Sequence, residues 1–418
     1  MRLDDYIDNL EPEESYNRRK LAEEKSYEIL DYLHDFKNRF EEVKQGDSLF
    51  GSTSPSVFVG RSNYPKVSTG VLSPVGHEDD ASEFATNSDW YARGLNIENV
   101  LQYRTGLLNS NRSARVDVSR VSDRFVDVQR EVAMADTPVD VEVELSDSID
   151  IDYSLDNITG PTGPRARARS VDLAENPRVP RPVEKTLEDD EWKSQGAMKY
   201  LYESGLDVYD INRILSVGGL GLGDQRRLVP TRWSITAVDD TIGKHLHDEI
   251  RDNPSIDKPQ VWVNAYMGNR YWVVLGPGKW EFELVEMKSP GSVWNPDPHG
   301  ETWMASAYEG YEGRTQYVDE TAGAYYAARL GVLEHLNEVG RQAKCLVLRE
   351  VSDDYWAPVG VWQVRESVRN AFEGEHGEAE TFHSAVREIS DNLPVPLSDL
   401  RRKSTLVSGI QADLSDFS

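Results

Sequence analysis

The spacing of hydrophobic and polar positions changes several times along the chain, and each change marks an element. In "EESYNRRKLAEEKSYEILDYLHDFKNRFEEV", Leu21, Tyr27, Leu30, Leu33 and Phe36 fall close to one stripe of a helix that stops at Gly46. "LFGSTSPSVFVGRSNYPKVSTGVLSPVG" then turns to Gly, Ser, Pro and β-branched residues, which predicts short strands joined by tight turns. A helix is expected around "NIENVLQYRTGLL". "PVDVEVELS" sets Val139, Val141, Val143 and Leu145 against intervening acids, the alternation of a half-exposed strand.

Beyond it, "NITGPTGPRARARSVD" and "NPRVPRPVEK" offer little to bury and read as an ordered loop or an interdomain connection. Two short helices follow, "DEWKSQGAMKYLYESG" and "DVYDINRIL", then a glycine-rich turn in "SVGGLGLGDQRRLVP". "QVWVNAYMGNRYWVVLG" is a hairpin signal, its arms alternating aromatic and aliphatic residues around Gly268-Asn269. "KWEFELVEM" adds a strand, "ETAGAYYAARLGVLEHLNEVGRQ" a long helix, "KCLVLREV" another strand and "VGVWQVRESVRNAF" a strand-to-helix unit. Strands and helices mix without a strict βαβ rhythm, so the expected class is mixed α/β (α+β). The expected division is an N-terminal domain over 1–160, a Pro/Arg-rich connection over 161–187, an α/β domain over 188–392 and a flexible tail over 393–418.

Composition narrows the setting. The 418 residues carry 73 acids against 46 bases, a formal charge of -27, and Arg (32) far outnumbers Lys (14). The acid is spread along the chain, as in the cytosol of a salt-accumulating organism, where the Debye length is near 3 Å at about 1 M salt. Net charge therefore does not exclude a DNA-related role. Cys345 is the sole cysteine, which excludes an internal disulfide and a cysteine zinc site and fits a small core residue in an apolar run. No stretch has membrane-spanning length, and the first residues lack a signal-peptide core, so a cytoplasmic protein away from the membrane is expected.

Two segments carry candidate chemistry. In "FGSTSPSVFVGRSNYPKVSTG", Gly51, Gly60 and Gly70 lie among hydroxyls and the cations Arg61 and Lys66. Such loops cradle phosphate through backbone N–H groups, and they equally form plain hairpin turns. In "GGLGLGDQRRLVPTRWSITAVDDTIG", Arg226, Arg227 and Arg232 follow a glycine turn made by Gly218, Gly219, Gly221 and Gly223. In an acidic chain these arginines either pair with carboxylates or face a polyanion. Asp239 and Asp240 either hold a divalent cation or, the favoured reading, cap the start of a helix. "YLYESGLDVYDINRIL", with Gly205 in its turn, matches a helix-turn-helix and also many ordinary helical corners, with Arg213 its one cation on the second helix. Trp262, Trp272, Trp280, Trp294 and Trp303 read as sheet core ahead of a base-stacking platform. The eight histidines show no ligand-like spacing.

The last residues, "QADLSDFS", place Gln411, Leu414 and Phe417 at i, i+3 and i+6. In one 3₁₀ turn Leu and Phe project together while Gln fills a polar notch, the pattern by which polymerase-associated proteins plug into the sliding clamp. The bland alternative is a terminus without a role.

Taken together, "FGSTSPSVFVGRSNYPKVSTGVLSP" (50–74), "NPRVPRPVEK" (176–185), "RLVPTRWSITAVDDTIG" (227–243), "GAYYAARLGVLEHL" (323–336) and "GVWQVRESVRNAF" (360–372) resemble the archaeal Nre DNA-repair family. The resemblance spans both halves. It implies a role in repairing DNA damage and docking on the clamp, PCNA, through Gln411, Leu414 and Phe417. Two departures stand out. Many family members carry a cysteine-rich cluster near the N-terminus; this chain has none there, so no zinc is expected. Ser418 stands where a second aromatic is usual, a loss on the order of 1–3 kcal/mol in docking. The resemblance names a pathway and no reaction, and the cofactor is unknown. Three classes stay open: a clamp-tethered repair factor that meets DNA or a nucleotide-like ligand, an enzyme on a phosphate-bearing substrate, and a non-catalytic adaptor. The enzyme requires Arg226, Arg227, Arg232, the 51–70 loop and Asp239 or Asp240 in one pocket.

Overall fold

The computed structural model describes residues 38, 48–119, 123–146, 163–292, 294–295 and 299–408. Apart from Asn38, which is helical, the amphipathic helix expected before Gly46 lies outside them, as do Gln411, Leu414 and Phe417. The class is mixed α/β: among the described residues the strands form two six-stranded sheets, with helices between and around them.

The first sheet uses β1 (Ser48–Thr53), β2 (Val57–Val59) and β3 (Lys66–Pro74). After α1 (Asp89–Ala92) and α2 (Ile97–Thr105) come β4 (Leu107–Arg115), α3 (Arg124–Met134), β5 (Val139–Leu145) and β6 (Arg165–Leu173). The spatial order is β1-β5-β6-β4-β3-β2, antiparallel except for β4 beside β6. β5 buries the alternate residues its pattern assigned to one face. β6 is a correction, because "RARARSVDL" was expected within the connection. Its Ala166, Ala168 and Val171 turn inward beneath Phe125, Val128 and Val132 of α3, while its arginines alternate outward. Gly70 on β3 is required by proximity: a Cβ there would stand 2.5 Å from the backbone oxygen of Ser110.

The middle of the chain is helical: α4 (Arg181–Glu188), α5 (Ser194–Glu203), α6 (Val208–Ser216) and the long α7 (Thr231–Ile250). The second sheet then takes β7 (Gln260–Tyr266), β8 (Asn269–Gly276), β9 (Glu281–Lys288) and β10 (Trp303–Glu309). It continues past α8 (Ala322–Glu338) with β11 (Lys344–Val351), then past α9 (Trp362–Ala371) with β12 (Gly377–Glu378). Its order is β10-β9-β11-β8-β7-β12, with β9 and β11 parallel. The β7–β8 turn is made by Met267 and Gly268, both at positive φ, one residue earlier than expected; this is the backbone of a type I′ hairpin. The residues before α9, expected as a strand, run without strand pairing.

The second sheet is covered on both faces, which is why β8, β9 and β11 are almost wholly buried. One face packs on α7 and α8, and Cys345 sits there, fully buried. The other is covered by α10 (Phe382–Ser390), α11 (Leu397–Lys403) and α12 (Thr405–Ser408). Residues 393–408 are therefore folded rather than tail: Val395, Leu400 and Val407 pack against Trp272, Val274 and Met287. The carboxylate of Glu283, buried in β9, accepts hydrogen bonds from Ser404 Oγ (2.7 Å) and the Thr405 and Leu406 amides (2.7 and 2.8 Å), capping α12.

Candidate functional site

A cleft of about 420 Å³ opens where the two cores meet. Its walls come from the 55–58 segment running into β2, the end of α2, the outer side of α6, the first turns of α7 and the start of α9. Three arginines and three aspartates line it, and most of them neutralise one another. Arg365 places one terminal nitrogen 2.7 Å from both oxygens of Asp239, and both residues are almost fully buried. Arg213 pairs with Asp210 and donates to the Pro55 and Ala135 carbonyls. Asp136 accepts from Arg178 at 2.8 Å. Arg104 is the exception. It approaches the Trp90 ring at 5.9 Å, and no carboxylate pairs with it among the described residues. Burial pushes its guanidinium down to about 10, so it stays charged at neutral pH.

A buried network backs the cleft. Arg365 lies 4.8 Å over the Tyr209 ring, whose hydroxyl donates to Glu366 at 2.7 Å. Arg369 gathers Glu334, Glu366 and Asp207. Burial raises the carboxyls of Asp239 and Glu366 above the ordinary range, with the neighbouring arginines opposing it. Asp239 and Asp240 lie in the middle of α7, so the capping role expected of them is wrong. Asp240 instead pairs with Lys244 at 2.5 Å and, more distantly, with Arg329.

The five cations singled out from sequence separate into two groups. Arg226 is structural. It donates to the carbonyls of Gly221, Thr186, Leu187 and Asp189, closing the C-terminal end of α4. Arg227 is half-exposed and 3.4 Å from Asp117. Arg61 and Lys66 are exposed at either end of the β2–β3 loop, and Arg232 is exposed at the start of α7. None of these three forms an ion pair among the described residues. The loop meets the helix through Tyr64 and Trp233, whose rings stand 5.5 Å apart and are each 46% exposed. Val59 N donates to Thr231 Oγ1 (3.0 Å), fixing the two elements together. Two half-exposed aromatics thus lie in the same loop and helix start as three exposed cations that form no ion pair among the described residues.

The pocket required by the enzyme reading forms in part. The 55–58 segment and Asp239 share the cleft, whereas Arg226, Arg227 and Arg232 are not among its lining residues, and Arg104, Arg213 and Arg365 stand there instead. Arg365 had a readable signal: it sits on the stripe of Val361, Val364 and Val368, where only a paired charge is tolerated. The helix-turn-helix reading fails because α6 is packed against α7 and Arg213 turns inward. Trp262, Trp272 and Trp280 are core, as expected, while Trp303 is half-exposed beneath the Lys288 ammonium at 4.1 Å. Among the described residues no group of three or more His, Cys, Asp or Glu is placed to hold a metal, and no helix is long and apolar enough to cross a membrane.

Two family models match the chain, Archaeal Nre N-terminal over residues 21–295 and Archaeal Nre C-terminal over 309–417. The chain belongs to the archaeal Nre family. An Nre relative from Haloferax volcanii, DNA repair protein NreA, is 62% identical over the whole of both chains. From Archaeoglobus fulgidus, DNA repair protein NreA is 38% identical over 85% of this chain and 88% of its own, and DNA repair protein NreB is 36% identical over 88% and 92%. No solved structure matches. The gap between the two Nre segments takes in nearly all of β10, and the second sheet draws β7, β8 and β9 from the first segment and β11 and β12 from the second, with β11 paired to β8 and β9.

Proposed function

We propose that this Nre chain is a DNA-repair factor that meets DNA on the surface around Tyr64 and Trp233 and docks on PCNA through Gln411, Leu414 and Phe417. Its relatives carry DNA repair in their names, which supports the pathway. The observation that carries the DNA contact is the trio Arg61, Lys66 and Arg232, without an ion pair among the described residues and on the same two elements as two half-exposed rings, in a chain of charge -27. Rings stack on bases without regard to sequence while cations follow the backbone, a combination suited to single-stranded or unpaired DNA.

The test is anisotropy of a labelled single-stranded oligonucleotide with wild-type protein and a Tyr64→Ala, Trp233→Ala variant. Stacking is worth about 1–3 kcal/mol per base, so affinity should fall roughly tenfold or more. Both rings are half-exposed, so the fold should persist, with circular dichroism as the check. Unchanged affinity in a folded variant removes this surface from the proposal.

A further inference from the structure

We propose that the cleft between the two cores is a binding site for a mononucleotide, with Arg104 as the anchor for its phosphate. This goes beyond the DNA-repair reading and stands on the cleft alone. The charge pairing is specific. Asp239, Asp210 and Asp136 are each taken by an arginine, which leaves Arg104 as the uncompensated charge among the lining side chains. A half-buried guanidinium with no carboxylate partner among the described residues is costly to the empty protein and is relieved by an anion that enters. Gly360, at φ 91°, lets the backbone lie flat against it: a Cβ there would stand 3.3 Å from one guanidinium nitrogen. Elsewhere in the lining, Arg365 Nε is buried without an acceptor.

The rest of the lining suits a base and sugar better than a small acid. A volume of about 420 Å³ falls within the usual range for organic ligands. Phe58, Phe84 and Trp362 give the lining an aromatic character, the last two nearly buried, and Asn87, Asn109 and Asn212 add amides that can both donate and accept. Two sources supply the same chemistry: a free nucleotide, or the terminal nucleotide of a DNA strand. The second is sterically reasonable because β2 and the first turn of α7 line the cleft, and the same elements continue into Arg61, Tyr64, Arg232 and Trp233.

The experiment is calorimetric titration of the full chain in concentrated potassium chloride with the four deoxynucleoside monophosphates and their parent nucleosides. Buried ion pairs are screened little by salt, so the phosphate contact should survive. Wild type should bind at least one monophosphate roughly tenfold or more tighter than its nucleoside. Arg104→Gln should reduce that monophosphate to the nucleoside's affinity, yet melt no lower than wild type without ligand, because it removes a half-buried, uncompensated charge. A merely structural Arg104 predicts the reverse: a lower melting temperature and no ligand effect. Ile235→Trp, which fills the cleft from α7, should abolish nucleoside and nucleotide binding together and serves if Arg104→Gln fails to fold. Competition by a 5′-phosphorylated oligonucleotide assigns the strand end as the source, and its absence assigns the free nucleotide; both outcomes retain the site. Equal affinity for nucleotide and nucleoside, or no binding by wild type, overturns it.

Discussion

At the scale of single residues, burial sets the chemistry more than sequence neighbours do. His335 is stacked on Phe372 with ring centres 3.9 Å apart, and edge-on to Trp262. Burial, helped by the nearby His376, pushes its imidazole from the ordinary 6.5 down to about 4. In that window the unfolded chain binds a proton that the folded chain refuses, so this contribution is whole above 6.5 and is lost as pH falls toward 4. His335→Phe keeps the stack and removes the proton, so its melting temperature should fall less than wild type's across this range. Parallel curves would exclude the assignment. Arg226 shows what sequence hides: its partners are carbonyls 37–40 positions back at the end of α4, and nothing local distinguishes it from Arg232, which faces solvent.

At the scale of elements, the final helices are held by one carboxylate. Replacing Glu283 with Ala leaves two helix-start amides and the Ser404 hydroxyl without their acceptor, at a cost of about 2–3 kcal/mol. Hydrogen exchange should then quicken in residues 404–408 before the rest of the sheet; uniform protection would show that apolar packing alone suffices. Long apolar elements such as β8, β11 and α8 were legible from their patterns, because both faces of the sheet are covered. β6 was not, since it buries two alanines between arginines and a valine between Ser170 and Asp172, and needs α3 above it to make sense. α11 and α12 were missed for a similar reason: short helices with few apolar residues gain their order from the surface they cover.

For the whole molecule, the cations near Tyr64 and Trp233 stand out against the acidic excess, and the proposed clamp motif would add a second, apolar attachment. Clamp binding through Leu414 and Phe417 should persist in high salt, where surface ion pairs are screened. A Leu414→Ala, Phe417→Ala variant measured against the cognate clamp by calorimetry should lose about 2 kcal/mol or more. Equal affinities would dismiss the tether. The family was legible across the whole sequence, and the cleft was not, because Arg104, Asp239 and Arg365 are brought together from three distant segments. The capping of α12 by Glu283 bears on how a ring could be carried. Only two residues separate Ser408 from Gln411, and a step of three residues spans about 10 Å at full stretch. A clamp seized at Gln411 would be held within about that distance of the end of α12, more like a bracket than a leash.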